Sequence, residues 1–291
     1  MNRFTFIINP IAGTGHALQV EETLKKSLTA LKREAEAVFL RTERPGHATE
    51  LAREAARNGG TVVSVGGDGT NLEVAAGLVD AGAAMGIIPA GTGNDLIKTL
   101  GIPREPTEAL DYMIHHEPRP MDIGTINGRP FLNVCGTGFD VSVLDHAEKH
   151  KKRFRGLLPY LLGLIGAIFG NKPVTVSIRR DGGEEQEEKI LICAIANGRY
   201  IGGGIPICPV AEPGDGRFDL VTVDAVPRWR IPFYLPGLMG SRILKFGITH
   251  HELVRSVMLK SPGMRIQIDG EIVSMDEAAL EMRAGALMMR Y

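Results

Sequence analysis

Val62-Val63-Ser64-Val65-Gly66-Gly67-Asp68-Gly69-Thr70-Asn71 is a β-branched strand that runs into three glycines and an aspartate. A helix is expected behind it, over Leu72–Ala81. Glycine lets backbone approach a phosphate closely, and a helix start offers unpaired N–H groups at the positive end of its dipole. Asp68 could hold a cation or orient a nucleotide hydroxyl. A plain strand-to-helix turn with Asp or Thr as N-cap is the alternative, but such a turn does not need three glycines.

The same logic recurs on either side. Pro89-Ala90-Gly91-Thr92-Gly93-Asn94-Asp95 follows a short strand at Met85–Ile88 and precedes a helix at Asp95–Leu100. Asn94 or Asp95 can cap that helix. Asn9-Pro10-Ile11-Ala12-Gly13-Thr14-Gly15 follows the first strand, Phe4–Ile8. With helices at Ala17–Leu31 and Ala48–Asn58 and a strand at Ala35–Arg41, strands and helices alternate through residue 122. That pattern predicts βαβ units around a parallel sheet. Ligands bind such sheets at the carboxyl ends of the strands, so the three turns should converge on one edge. None completes G-x-G-x-x-G, and there is no Gly-Lys dipeptide, so neither the Rossmann fingerprint nor a Walker A loop applies.

Beyond residue 122 the pattern changes. Strands are expected at 122–127, 130–135, 174–180, 189–196, 218–223, 256–259, 264–268 and 271–275, with Asp-Gly turns at Asp181, Asp215 and Asp269. Strands joined by turns predict an antiparallel sandwich or barrel. The expected domains are therefore 1–122 and 123–291, with the last strand, 286–291, free to return to the first. At about 150 residues per domain, a chain of 291 residues is consistent with two.

Composition bounds the function. Hydrophobic residues are 44% and charged residues 23%, an ordinary globular balance. Lys and Arg total 33 against 34 Asp and Glu, so no global basic field points to nucleic acid. Three cysteines, Cys135, Cys193 and Cys208, form no CxxC pair and fit neither a disulfide framework nor a zinc site. A reducing cytoplasm is expected. The N-terminal apolar run is too short for a signal peptide, and Leu157–Phe169 falls short of the roughly 20 residues of a membrane span.

These blocks resemble the catalytic domain of the diacylglycerol kinase family, which includes bacterial lipid kinases and sphingosine kinases. The resemblance rests on Asn9-Pro10 with Gly13, on Gly66–Thr70 and on Gly91–Asp95. It continues through Asn133-Val134-Cys135-Gly136-Thr137-Gly138-Phe139-Asp140, Asn197–Gly204, Pro209-Val210-Ala211, Asp215-Gly216 and Asp269-Gly270-Glu271, in order along nearly the whole chain. It implies a nucleotide domain like those of phosphofructokinases and NAD kinases, followed by a β-sandwich domain. It implies transfer of phosphate from ATP, with Mg²⁺, to a lipid hydroxyl such as that of diacylglycerol.

Carried over by position, the nucleotide would be held by Asn9, Pro10, Ala12, Gly13, Thr42, Gly66, Gly67, Asp68, Gly69, Thr70, Asn71, Thr92 and Asn94. Asp68, Asp95 and Asp122 would surround the catalytic Mg²⁺. A structural Mg²⁺ would sit near the Arg217 carbonyl, Asp219 and Leu220. Asp269 or Glu271 would be the general base. Without the resemblance, Asp269-Gly270 between alternating runs reads as a hairpin turn.

Two segments could meet a membrane surface. Lys149–Arg155 holds five basic residues ahead of the apolar Leu157–Phe169. Pro227–Leu235 sets Trp229 between Arg228 and Arg230, either at headgroup level or in a packed loop. The expected location is cytoplasmic, peripheral at the inner membrane face. The histidines, His250-His251 included, suggest no zinc site. Edge strands of the second domain could pair in a homodimer. The competing functions are an NAD kinase, a kinase for a soluble polyol, and a non-catalytic nucleotide-binding regulator of the same fold.

Overall fold

The structure, a computed structural model, describes residues 3–139, 141–143, 146, 163, 166–167 and 173–291. Two compact units divide it: Met1–Met121 with Gly285–Tyr291, and Asp122–Ala284.

The first unit is built on parallel strands β1 (Phe4–Ile8), β2 (Ala37–Arg41), β3 (Thr61–Gly66) and β4 (Ala84–Pro89), in the order β4-β3-β1-β2. Phe4–Ile8, β3 and β4 are buried along their whole length. Continuous apolar runs of this kind belong to parallel strands covered on both faces. The covering helices are α1 (His16–Ala30), α2 (His47–Arg57), α3 (Asp68–Leu78), α4 (Asp95–Leu100) and α5 (Pro106–His115). Helix α1 buries Ala17, Val20, Leu24 and Leu28, a stripe of helical period. Helices α2 and α3 touch closely: a Cβ on Gly77 would lie 2.6 Å from the Thr49 carbonyl. Helix α3 starts four residues earlier than the apolar pattern suggests, because Asp68, Gly69, Thr70 and Asn71 are already helical.

The second unit is mostly antiparallel. It contains most of β5 (Pro118–Ile126), then β6 (Arg129–Phe131), β7 (Val134–Gly138), β8 (Val174–Arg180) and β9 (Glu185–Ala196). It continues with the short pair β10 (Tyr200–Ile201) and β11 (Ile205–Pro206), then β12 (Phe218–Asp224), β13 (Thr249–Val254) and β14 (Ser256–Ile268). Neighbours run β13-β12-β9-β7-β14-β15, where β15 is Glu271–Arg290. Strand β12 shows why this sheet is buried on both faces. Phe218 and Leu220 enter one apolar cluster, while Val221 and Val223 enter another. Alternation with period two sends successive side chains to opposite faces.

Several expectations need correction. The segment 130–135 is two strands, β6 and β7. Segments 256–259 and 264–268 are one strand with a register shift between Lys260 and Met264. Asp181-Gly182 and Asp269-Gly270 are tight turns with both residues at positive φ, but Asp215 has no positive φ and lies in a loop. Residues 228–239 form a 3₁₀ turn and helix α6 (Ile231–Met239). This is no packed loop: Trp229 is 70% exposed. Lys149–Arg155 and most of Leu157–Phe169 lie outside the described residues, as does Asp140. Among the described residues, no helix is long and apolar enough to cross a membrane.

Strand β15 begins in the second unit and ends in the first. Its Met288 and Met289 pair in parallel with Ala84 and Met85 of β4. Buried Arg290 fixes this end, donating to Thr61 Oγ1 at 3.0 Å and to the His116 carbonyl at 2.7 Å.

Candidate active site

In the first unit the strand register decides where the glycine turns lie. Ile8 pairs with Val65, and Gly66 with Pro89, so β1, β3 and β4 end level with one another. The turns that follow are therefore neighbours. Asn9 N–H donates to the Val65 carbonyl at 3.1 Å, and Ala90 N–H to the Gly66 carbonyl at 2.8 Å. Asn9 Nδ2 donates to Thr70 Oγ1 at 3.0 Å.

The glycines make this proximity possible. A Cβ on Gly91 would lie 2.3 Å from Gly67 Cα, and one on Gly13 would lie 2.3 Å from the Ala90 carbonyl oxygen. Gly13 also has φ +59, a left-handed conformation that favours glycine. Any side chain at these points would wedge the turns apart.

Asp68 links two helix starts. Its Oδ1 accepts from the N–H of Asp95 at 2.8 Å, so the first residue of α3 caps the amino end of α4. Asp95 Oδ1 accepts from Lys98 Nζ at 2.8 Å. Asn71 is buried and accepts from Ser64 Oγ at 2.7 Å, fixing α3 against β3. Asn94 holds a left-handed backbone at φ 50 and donates Nδ2 to the Gly91 carbonyl at 2.9 Å. Its Oδ1 is buried without a hydrogen-bond partner.

Beside the turns is a pocket of about 210 Å³ lined by Asn9, Pro10, Thr42, Arg44, Thr70 and Glu73, among others. Thr42 enters it from the end of β2, its N–H held by the Ile8 carbonyl at 2.8 Å. The structure thus gathers Asn9, Pro10, Thr42 and Thr70 around one cavity. Gly66, Gly67 and Asp68 follow in the adjoining turn. Arg44 and Glu73 were not named as site residues: Arg44 follows Thr42 in the loop before α2, and Glu73 comes from α3, where it accepts from the Ala48 N–H at 3.2 Å. The oxygen donors Asp68, Asp95 and Asn94 Oδ1 suit a hard cation such as Mg²⁺.

The remaining expected residues lie in the second unit. Asp122 Oδ2 accepts from Gly216 N–H at 2.7 Å, tying the start of this unit to the loop before β12. Asp269 accepts three backbone N–H bonds, from Leu132 at 2.6 Å, Asn133 at 2.8 Å and Val134 at 3.1 Å. It also occupies the hairpin between β14 and β15 with φ 47, so the turn reading describes its backbone. Glu271 is exposed and ion-paired with Arg129. That guanidinium holds the Glu271 carboxyl below its usual range, against the opposing effect of burial.

Asp219, expected with the Arg217 carbonyl and Leu220 near a structural Mg²⁺, has side-chain partners that sequence did not suggest. Its Oδ1 lies 2.6 Å from His251 Nε2, and it accepts a hydrogen bond from the Cys208 thiol. Burial raises the Asp219 carboxyl above its ordinary value. His251 therefore has an acidic partner that sequence spacing concealed, 32 residues away on the paired strand. The Leu220 side chain is buried in the core.

Comparison with known proteins bears on both units. The family described as diacylglycerol kinase catalytic domain matches residues 3–126, and the YegS C-terminal NAD kinase beta sandwich-like domain matches 133–290. A protein of Bacillus subtilis (strain 168) named diacylglycerol kinase is 32% identical over 281 residues, covering 93% of this chain and 90% of its own length. A Pseudomonas putida protein named "Probable lipid kinase YegS-like" is 31% identical over 246 residues, covering 83% and 81%. A crystal structure of a diacylglycerol kinase from Bacillus anthracis str. Sterne covers 100% of this chain and 97% of its own, with TM-score 0.74 and 24% identity. An NAD kinase from Archaeoglobus fulgidus in complex with ATP covers 99% and 93%, with TM-score 0.55 and 17% identity, a likeness of fold. With both halves matched in order, the chain belongs to the diacylglycerol kinase catalytic-domain family, a nucleotide-binding α/β domain followed by a β-sandwich-like one.

Proposed function

We propose that the chain is an ATP-dependent lipid kinase, transferring the γ-phosphoryl group to a lipid hydroxyl. The observation that carries this reading is the level ending of β1, β3 and β4, which brings three glycine turns to one sheet edge beside an open pocket. The names of the relatives supply the lipid.

In this reading the first unit binds ATP. Gly13, Gly66, Gly67, Gly69 and Gly91 present backbone close to the phosphates, with Ala12, Asn71 and Thr92 in the same turns. The amino end of α3 adds its dipole. Asn9, Pro10, Thr42 and Thr70 line the nucleotide's pocket. Asp68 and Asp95, with Asn94, would hold Mg²⁺, which when bound neutralises charge on the phosphates. Asp68 has a second duty in keeping α3 and α4 in register.

Phosphoryl transfer asks little of a base beyond orienting the attacking hydroxyl and accepting its proton. Of the two carboxylates, Glu271 suits that task better. Asp269 is committed to three N–H donors and positions the turn. Glu271 is held by an exposed ion pair worth about 0–1 kcal/mol, which a substrate can displace. The lipid would arrive along α6, where Trp229 and Phe233 are exposed beside Arg228 and Arg230.

The test is incubation with radiolabelled ATP and Mg²⁺ against a panel of diacylglycerol, phosphatidylglycerol, sphingoid bases and polyprenols, with products separated by thin-layer chromatography. One labelled lipid is expected. NADP formation from ATP and NAD, with no labelled lipid, would replace the proposal with an NAD kinase. Labelling of a soluble polyol alone would retain the nucleotide site and remove the lipid.

A further inference from the structure

Cys208, Asp219 and His251 form a cluster that the kinase reading does not use. One ligand atom from each, the Cys208 sulfur, an Asp219 carboxylate oxygen and a His251 ring nitrogen, lies within 4.8 Å of the other two. The sheet explains the meeting. In β12 and β13, Val221 pairs with His251 and Asp219 with Leu253. Asp219 therefore lies two residues from the position opposite His251, on the same face, within diagonal reach. That face also carries Val221 and Val223, and Cys208 belongs to the apolar cluster they enter.

A second feature concerns the sulfur. Cys208 opens the sequence Cys208-Pro209-Val210-Ala211, whose Val210 and Ala211 N–H groups favour the ionised sulfur less than burial opposes it. The turn is closed by the Ala211 N–H donating to the Cys208 carbonyl at 3.2 Å. Without a cation, burial and the Asp219 charge oppose ionisation and push the thiol up to about 12. A bound cation reverses that balance, because a coordinating thiol loses its proton outright.

We infer that Cys208, Asp219 and His251 form a binding site for a thiolate-preferring divalent transition metal, with Zn²⁺ the fitting ion. Sulfur, imidazole and carboxylate are ligands that zinc takes, whereas Mg²⁺ keeps to oxygen. Two ligands are buried, while the His251 side chain is 31% exposed and gives the ion a way in. Water takes the fourth position of the tetrahedron. On binding, the Cys208 S–H proton leaves to solvent as the sulfur–metal bond forms. The His251 ring presents the Nε2 lone pair to the metal, with its proton on Nδ1. The site clamps β12, β13 and the Cys208 turn, so its consequence is stability of the second unit.

The test is titration of the chelator-treated full chain with Co²⁺, followed by absorption. One equivalent should give a sulfur-to-cobalt charge-transfer band in the near ultraviolet with intense visible d–d bands, and Zn²⁺ should abolish them. Both should be lost in Cys208→Ser and in His251→Gln. Zn²⁺ should raise the melting temperature of the wild type and of neither variant. Absence of the band in the wild type, or its persistence in Cys208→Ser, would overturn the inference. So would displacement of Co²⁺ by excess Mg²⁺, which would mark an oxygen site. Should Cys208→Ser fail to fold, His251→Gln decides alone, because its side chain is at the rim: an unchanged band there also overturns it. None of these readouts depends on kinase activity.

Discussion

Asp68 and Asp95 are joined by a 2.8 Å hydrogen bond from the backbone N–H of the second to the carboxylate of the first. Each begins a helix, and each follows a glycine turn at the end of a neighbouring strand. The contact couples two phosphate-binding candidates at one sheet edge, and it gives Asp68 a structural task beside the chemical one proposed for it.

Asp68→Asn separates those tasks. The amide oxygen still accepts from Asp95 N–H, so the fold should persist with an unchanged melting temperature. The negative charge is gone, and ATP-dependent lipid labelling should fall by about 10²–10³, the usual scale for losing one charge-stabilising contact at a reacting phosphate. Circular dichroism and initial-rate labelling check the two halves. Full activity in a folded Asp68→Asn protein would remove Asp68 from the site.

Gly91→Ala tests the close approach of two turns. The new Cβ would sit 2.3 Å from Gly67 Cα, with backbone and not a flexible side chain in its way. Forced overpacking of this kind costs about 1–3 kcal/mol. Urea unfolding should show that loss, and ATP affinity should fall with it because the turns must part. Gly69→Ala is the control. Nothing lies within 4 Å of its Cβ and its φ is not positive, so it should cost far less stability.

Asp269 and Glu271 should respond oppositely. Glu271→Gln removes a charge from an exposed ion pair, so stability should change by less than about 1 kcal/mol while lipid labelling collapses. Asp269→Ala leaves three backbone donors without their acceptor, and each unsatisfied buried donor costs about 1–3 kcal/mol. Its melting temperature should drop sharply. A stable, inactive Asp269→Ala beside an active Glu271→Gln would exchange their roles.

The contrast between these residues shows what a sequence can reveal. The glycine turns were legible because glycine at a strand end has a local cause, close backbone approach. The parallel sheet was legible because β-branched runs alternated with helical periods. Asp219 and His251 were not, since their meeting depends on the pairing of β12 with β13, and β13 carries no apolar alternation: its pattern is Thr249-His250-His251-Glu252-Leu253-Val254. Helix α6 was obscured by Pro232 and Pro236, which usually mark loops. The continuity of strand 256–268 was hidden by Ser261-Pro262-Gly263, which reads as a break but is a register shift in a continuing strand.

Glu21 offers a pH test within the first unit. Its side chain is buried on α1 and paired with Arg41 at 2.8 Å and Lys25 at 2.7 Å. Burial pushes its carboxyl up, but the two cations outweigh it, and the net shift is downward from 4.5. A lowered folded-state value means that the ionised form stabilises the fold above the unfolded value and that this contribution is lost as pH falls through the lower, folded value. Glu21→Gln should therefore be less stable than wild type by about 1–2 kcal/mol at neutral pH. The gap should narrow only below pH 4.5. A gap that stays constant down to pH 3 would mean packing and not charge.

The exposed edge of the second unit yields the last prediction. Trp229 and Phe233 are 70% and 76% exposed and meet edge to face with centroids 6.5 Å apart. Two large rings kept in water lose the stabilisation that burial would give them, unless a partner covers them. Arg228 and Arg230 flank them, and Arg230 reaches the Tyr234 hydroxyl at 3.1 Å. Rings with an apolar body beside fixed positive charge match the headgroup boundary of an anionic bilayer. Trp229→Ala with Phe233→Ala should leave the fold and melting temperature intact, because neither ring is buried. Sedimentation with phosphatidylglycerol-containing vesicles should drop by about tenfold or more, since each ring lost from the interface forfeits about 1–2 kcal/mol. Activity toward detergent-dispersed substrate should survive, while activity toward vesicle substrate falls. Equal vesicle binding by the double variant would assign the rings no role in reaching lipid.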